Sequence, residues 1–315
     1  MENRRPRAKK RGLTDRPPRF DREQISLQVM VLPAFLSVVV FSVIPISGVI
    51  ISFMDYKLGG GLFNGQWVGL KHFADMFSDK LFLRALRNTV VISFLDMVFC
   101  FPAPIILALL FNEAPFKRFK RLAQTGSYLP HFLSYVVVAA FWKIILDNKG
   151  IVNNFLLSAG IVNAPVEFWT TPKYYWPLTV IVSLWKNAGW GAIIYFAAIT
   201  NVSAEVYEAA IVDGAGRFRR VFSILLPAIM GTIVVMGIMR LAGLFNASFD
   251  QSYLLGNVFN RDVSYVISYY TIELGLRRMN FSYSTAINLF QSTASLILLI
   301  AANTYAKRKS DASIF

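Results

Sequence analysis

Glu208-Ala209-Ala210-Ile211-Val212-Asp213-Gly214-Ala215-Gly216-Arg217, running on through Arg219-Arg220 to Ile224-Leu225-Leu226-Pro227, decides how this chain is read. It is a charged island of small residues set between long apolar runs. Runs of that length are membrane spans, so the island is a structured loop between two of them. Glu205 and Glu208 fall in the early turns of a first short helix, where the dipole favours acids, and Ser203 is positioned to cap it. Ala209 and Ala210 give a narrow face for close docking. Gly214 and Gly216 supply a turn, and Arg217, Arg219 and Arg220 begin a second helix. An ordered small-residue face of this kind reads as a contact surface for something outside the membrane.

Working outward, 55% of the 315 residues are hydrophobic, and the mean hydropathy is +0.49. Residues 24–54, 122–142, 221–239 and 281–306 are free of charge. Residues 88–112 contain only Asp96, and 174–201 only Lys186. About 20 such residues cross a hydrocarbon core as helix. The expectation is an all-α integral membrane protein with six transmembrane helices and the Glu208 loop between helices 4 and 5. Period-2 alternation is absent, which argues against a β-barrel. The first span is too long for a cleaved signal segment and is read as retained. The lone Cys100 allows no intrachain disulfide.

The expected division is a basic, disordered tail over 1–22, a six-helix domain over 23–306 with its loop at 203–224, and a short tail over 307–315. Nine Lys and Arg precede residue 25, and further clusters lie at 117–121, 217–220 and 307–309. The three longer intervening loops hold ten between them. That bias places both termini and the Glu208 loop in the cytoplasm. It also accounts for the net charge of +14, so nucleic acid is not expected as a partner. A glycine triplet at 59–61 reads as a flexible turn, Trp67 to Phe73 as a short amphipathic element, and 263–274 as a helix within the last external segment.

Ionisable groups inside spans cost about 2.5–3.5 kcal/mol at the bilayer centre and so face protein or a water-filled path. Arg240 reads either as a pathway residue or as the partner of an acid such as Asp96. Lys186, in Trp185-Lys186-Asn187-Ala188-Gly189-Trp190-Gly191, sits on a stretch suited either to a sugar-lining wall or to close helix packing. Lys143 and Asp147, four apart, are spaced to pair. The expected pathway set is Lys186, Asn187, Trp190, Arg240, Asn246 and Asp250, and two basic groups there would suit acidic sugars. His72 and His131 lack metal-ligand spacing, and no Walker A pattern, phosphate loop or nucleophile turn is present. Neither catalysis nor a metal is expected.

The pattern Glu208-Ala209-Ala210, three residues, Gly214, nine residues, Ile224-Leu225-Leu226-Pro227 resembles the EAA loop of importer-type ABC permeases. Trp67 to Phe73, Arg87-Asn88-Thr89 and Trp185 to Trp190 are similar to carbohydrate-type permeases. Phe249 to Tyr253 and Tyr283 to Ser292 resemble oligosaccharide permeases of the LplB type. The resemblance implies a multi-pass subunit of a bacterial cell membrane that imports an oligosaccharide. It implies a second, related permease, two ATP-binding subunits and an extracytoplasmic solute-binding protein as partners. No cofactor is then held by this chain, since ATP and Mg belong to the ATP-binding subunits. The coupling role falls on Glu208, Ala209, Ala210, Asp213, Gly214 and Arg217. A secondary transporter is the rival, and it would need an inverted repeat with helix-breaking midplane sites.

Overall fold

A computed structural model describes residues 22–57, 59, 61, 65–309 and 314. The expectations for the tail before residue 22, for Gly60 and for most of the segment after Lys309 lie outside the described residues. The described chain is mostly helical. Among the described residues, four helices are long and apolar enough to cross a membrane, or up to six if each of two bent pairs is one span.

The chain forms two units, 1–50 and 51–315. The described part of the first is helical from Arg22, and its apolar helix, α1, is Ile25–Phe53. No residue from Ile25 to Ile46 is buried, so apolar side chains such as Met30 and Phe41 face outward all round. A helix apolar on every face is at rest only in apolar surroundings.

In the second unit a two-stranded ribbon, β1 (Met54–Asp55) and β2 (Gln66–Trp67), pairs antiparallel with Met54 opposite Trp67. The expected amphipathic element at Trp67 to Phe73 is therefore part strand and part helix, since α2 covers Lys71–Ser78. Then follow α3 (Lys80–Glu113), the bent pair α4 (Lys117–Phe132) and α5 (Tyr135–Ile145), and α6 (Ile151–Ser158). The long α7 (Pro172–Thr200) leads to α8 (Ala204–Val212). A second bent pair comes next, α9 (Arg217–Ala228) and α10 (Met230–Phe245). Short helices α11 (Phe249–Leu255), α12 (Arg261–Ser264) and α13 (Ile267–Ile272) precede α14 (Phe281–Lys309). The helix expected over 263–274 thus starts at Ile267, after a break at Tyr265.

The bends follow from proline. In α1, α3 and α9 a single wide turn, closed by i→i+5 bonds, occupies Val39–Val43, Asp96–Cys100 and Val221–Leu225. Each ends two residues before a proline: Pro45, Pro102 and Pro227. A proline ring collides with the carbonyl four residues back, and widening the preceding turn relieves this while keeping the chain helical. Where Pro130 enters a tight turn and Leu133 is extended, the helix breaks outright, and α4 and α5 meet at 107°. At Ile229 the α9–α10 bend is 63°. Lys143 and Asp147 do not pair: α5 ends at Ile145, and Asp147 accepts the Lys149 N–H at 3.0 Å.

Three apolar clusters stack along the second unit. Around Met76, Phe82, Tyr265, Ile267 and Ile287 lies the first, and around Val138, Tyr175, Val182 and Val266 the second. The third, around Ile105, Phe111, Tyr195, Ile199 and Leu225, sits nearest the α7–α8 turn. Over the first cluster the segment from α12 to α14 folds onto the start of α3 as a polar cap. The fully buried Asn88 donates to the carbonyls of Asp262 and Tyr265 at 2.9 and 3.0 Å. Thr89 accepts the Ile267 N–H at 2.9 Å. Arg87-Asn88-Thr89 is thus a lock between a span and a distant loop.

Two carboxylates organise the cap. Burial pushes the Asp79 carboxyl up, but the Tyr270 hydroxyl, the Leu81 N–H, the Tyr283 hydroxyl and the Phe82 N–H together outweigh it and hold it below 3.8. Burial likewise raises Glu273, while the Tyr265 hydroxyl, Arg278 and Arg261 bring it below 4.5. A depressed carboxylate adds stability above its unfolded value and loses it as pH falls through the folded one. The thermal midpoint is therefore expected to hold from pH 7 to 5 and to drop below about pH 4. A midpoint flat down to pH 3 in detergent would contradict this.

Candidate functional site

Two places stand out: a half-open cavity between α3, α5, α7, α10 and the start of α11, and the hairpin carrying Glu208. The cavity, ≈ 550 Å³, is lined among others by Asp96, Tyr135, Ser183, Asn187, Trp190, Arg240, Asn246 and Gln251. Its charged lining groups are Asp96 and Arg240, whose carboxylate and guanidinium meet at 3.2 Å. The wide turn at Asp96–Cys100 aims that carboxylate at α10. Arg240 is thus paired with Asp96, as one expected reading had it, and it also lines the cavity.

Of the expected pathway residues, the structure gathers Asn187, Trp190, Arg240 and Asn246 on this wall. Lys186 and Asp250 are not among the lining residues. Asp250 is exposed in the first turn of α11. Lys186 is buried, and its Nζ donates to the carbonyls of His131 at 2.8 Å, Pro130 at 3.4 Å and Leu133. Those carbonyls lie at and just past the broken end of α4, where the helix ladder runs out and a cation is also favoured by the helix dipole; the Pro130 carbonyl additionally accepts the Leu133 N–H at 3.2 Å. His131 joins the same corner. Its ring stacks on Trp190 with centroids 4.6 Å apart, and its Nδ1 lies 3.2 Å from the Asn187 Oδ1. The Trp185–Gly191 stretch thus holds the bent α4–α5 pair in place with one face and shows Asn187 and Trp190 to the cavity.

Replacing Lys186 by methionine strands the His131 and Leu133 carbonyls, at about 1–3 kcal/mol for each buried acceptor left unmet. The expected result is a clear fall in the thermal midpoint, larger than for Asn187→Ala. Equal midpoints for the two variants would remove Lys186 from this role.

The Glu208 hairpin is built as a capped turn. In α8 the final carbonyls of Ala210 and Ile211 accept the N–H groups of Ala215 and Gly214 at 2.9 and 3.0 Å. That pairing requires a left-handed residue at 214, and Gly214 has φ +76°. Gly216, at φ −62°, is in ordinary extended backbone, so only one glycine is needed by the turn. Ser203 makes no side-chain cap bond, contrary to expectation. Of the expected coupling set, Glu208, Ala209, Asp213, Gly214 and Arg217 are exposed and Ala210 is half-buried. Val212 and Phe218 are also exposed, at 87% and 82%.

Sequence reasoning missed what ties this hairpin down. Glu113, the last residue of α3, accepts from the Tyr207 hydroxyl on α8 and pairs with Arg220 on α9 at 3.2 Å. The Arg220 guanidinium lies 5.2 Å from the Tyr207 ring centre. Burial, and then the bond to Glu113 and its charge, hold the Tyr207 hydroxyl above its ordinary value, so it remains a donor. The available signal was Glu113 itself, an acid closing an apolar run just before a basic cluster.

Residues 100–310 match the family model for the inner membrane component of binding-protein-dependent transport systems. Protein LplB of Bacillus subtilis (strain 168) is 39% identical over 290 residues, 92% of this chain and 91% of that protein. The polygalacturonan/rhamnogalacturonan transport system permease protein YteP of the same strain is 38% identical over 294 residues, 93% and 91% of the two chains. A chain in the crystal structure of a bacterial alginate ABC transporter, in complex with an alginate pentasaccharide-bound periplasmic protein, superposes with a TM-score of 0.85 at 33% identity. It covers 93% of this chain and 97% of that one.

Proposed function

Since the chain belongs to the family of inner membrane components of binding-protein-dependent transport systems, we propose that it forms half of the pathway of an ATP-driven importer for an oligosaccharide. The ion-coupled alternative is set aside by that membership. The reading takes the two bent pairs as single spans, giving six, with both termini and the 203–224 loop in the cytoplasm. A second, related permease supplies the other half of the pathway. Two ATP-binding subunits dock on Glu208, Ala209, Ala210, Asp213, Gly214 and Arg217, and they alone hold ATP and Mg. An extracytoplasmic binding protein delivers sugar to the polar cap.

The observation that carries the reading is the hairpin. It is ordered by its own turn and by Glu113, yet among the described residues its outward face around Glu208, Val212 and Phe218 stays exposed. The cavity supports the cargo class. Trp190 and Tyr135 offer ring faces, while Asn187, Ser183, Gln251 and the Asp96–Arg240 pair offer donors and acceptors to hydroxyls. ATP binding that favours one arrangement of the docked subunits shifts the permease between two states.

The test is uptake by the complex reconstituted in vesicles, screened over neutral and uronate-containing oligosaccharides. ATP-dependent accumulation of at least one is expected. Flux indifferent to ATP but driven by a proton or sodium gradient would overturn the reading.

A further inference from the structure

Two ion pairs join the same two elements of the bundle at widely separated points. Asp96 and Glu113 both lie on α3, and their partners Arg240 and Arg220 both lie on the α9–α10 pair. At 1.5 Å per residue the two acids are roughly 26 Å apart along α3. The pairs differ in setting. Asp96–Arg240 opens on the cavity, with side chains 24% and 43% exposed, whereas Glu113 and Arg220 are each 14% exposed.

Glu113 occupies an unfavourable place for a carboxylate, the C-terminal end of a helix, where the dipole is negative. It is held there by groups from both arms of the hairpin. Tyr207 precedes the Gly214 turn and Arg220 follows it, and Arg220 also donates to the Ala215 carbonyl within the turn at 3.3 Å. The arms continue covalently into α7 and α9, and the end of α3 meets them through side chains: the Glu113 clamp and the apolar cluster of Ile105, Phe111, Tyr195, Ile199 and Leu225. One carboxylate thus gathers the hairpin onto a third helix, and that helix carries Asp96, Cys100, Phe101 and Pro104 to the cavity wall.

We infer that Glu113 is a positioning residue for coupling: it makes the Glu208 hairpin and α3 move as one body, so that displacement of the hairpin reaches the cavity through α3. This rests on the reading of the hairpin as the coupling element. Without the clamp, α8 remains able to follow a docked subunit, but its swing reaches α3 only through non-directional apolar contacts, which hold no fixed register between the helices. Hydrolysis then proceeds with less movement of the wall that carries Asp96.

The test measures sugar uptake and ATP hydrolysis in the same vesicles, with the full complex. Glu113→Gln keeps the shape and removes the charge, and Tyr207→Phe removes one hydroxyl. Sugar transported per ATP is expected to fall about ten-fold for the first and about three-fold for the second, within the range of measured coupling changes. The swap of Glu113→Arg with Arg220→Glu is expected to restore at least half of the ratio. Should Glu113→Gln fail to assemble, Tyr207→Phe carries the test alone. Uptake and hydrolysis falling in proportion, as simple loss of folded complex gives, would overturn the inference, and so would a swap as uncoupled as the single variant. An unmutated complex with no ATP-driven uptake would overturn the functional reading, and the inference with it.

Discussion

Alanine at position 189 is expected to leave no folded permease to purify. A Cβ built on Gly189 meets the Ser127 carbonyl oxygen at 2.0 Å and its carbon at 2.4 Å. Both are backbone atoms of α4, so no rotamer change relieves the collision. Overfilling a packed interior costs about 1–3 kcal/mol when side chains can give way, and more when they cannot. Here α4 has to move away from α7. That movement also pulls the Pro130, His131 and Leu133 carbonyls off Lys186 and unstacks His131 from Trp190. Ser127→Ala is expected not to rescue the variant, because the offending atoms remain. Gly126→Ala, one residue from Ser127 and with open space around it, is the matched control and is expected to fold. A monodisperse Gly189→Ala protein with an unchanged melting midpoint in detergent would show that the α4–α7 contact is looser than described.

Glu208→Lys is expected to abolish uptake with the chain still inserted and folded. Glu208 is exposed, and among the described contacts it has no hydrogen bond or ion pair within the chain. Exposed substitutions of that kind shift stability by about 0.5 kcal/mol or less. A loss of function must then arise at whatever docks on α8. The lysine reverses the charge at that surface, and reversal across an interface suppresses docking by several kcal/mol when an opposite charge faces it. The measurement is uptake together with capture of the ATP-binding subunits by the purified permease. Normal uptake by Glu208→Lys would remove the residue from the coupling surface.

The spans were legible because each is a run of apolar residues long enough to cross a bilayer, and 24–54, 174–201 and 281–306 lie close to α1, α7 and α14. Their internal breaks were not. Pro130 and Pro227 are visible in the sequence, but proline either widens a turn or breaks a helix, and packing against α7 decides which. Lys186 was recognised as a charge needing company. Its company is a set of backbone carbonyls, which leave no mark in side-chain composition. Glu113 and Arg220 are separated by more than a hundred residues, so spacing alone could not pair them. The hairpin turn was legible at Gly214, where the backbone demands glycine, and over-read at Gly216 and Ser203, where it does not.

Both cations at membrane depth are already answered by acceptors of this chain, Lys186 by carbonyls and Arg240 by Asp96. An unanswered cation on a conduit wall acts as a trap: an anionic cargo dwells beside it and leaves slowly. On the proposed reading of the cavity as a sugar path, a sugar passing between Trp190 and Arg240 would meet donors and acceptors in balance, with no deep well for a uronate and no barrier against a neutral glycan. Any bias toward acidic cargo in such an importer has to be set by whatever surface faces this one.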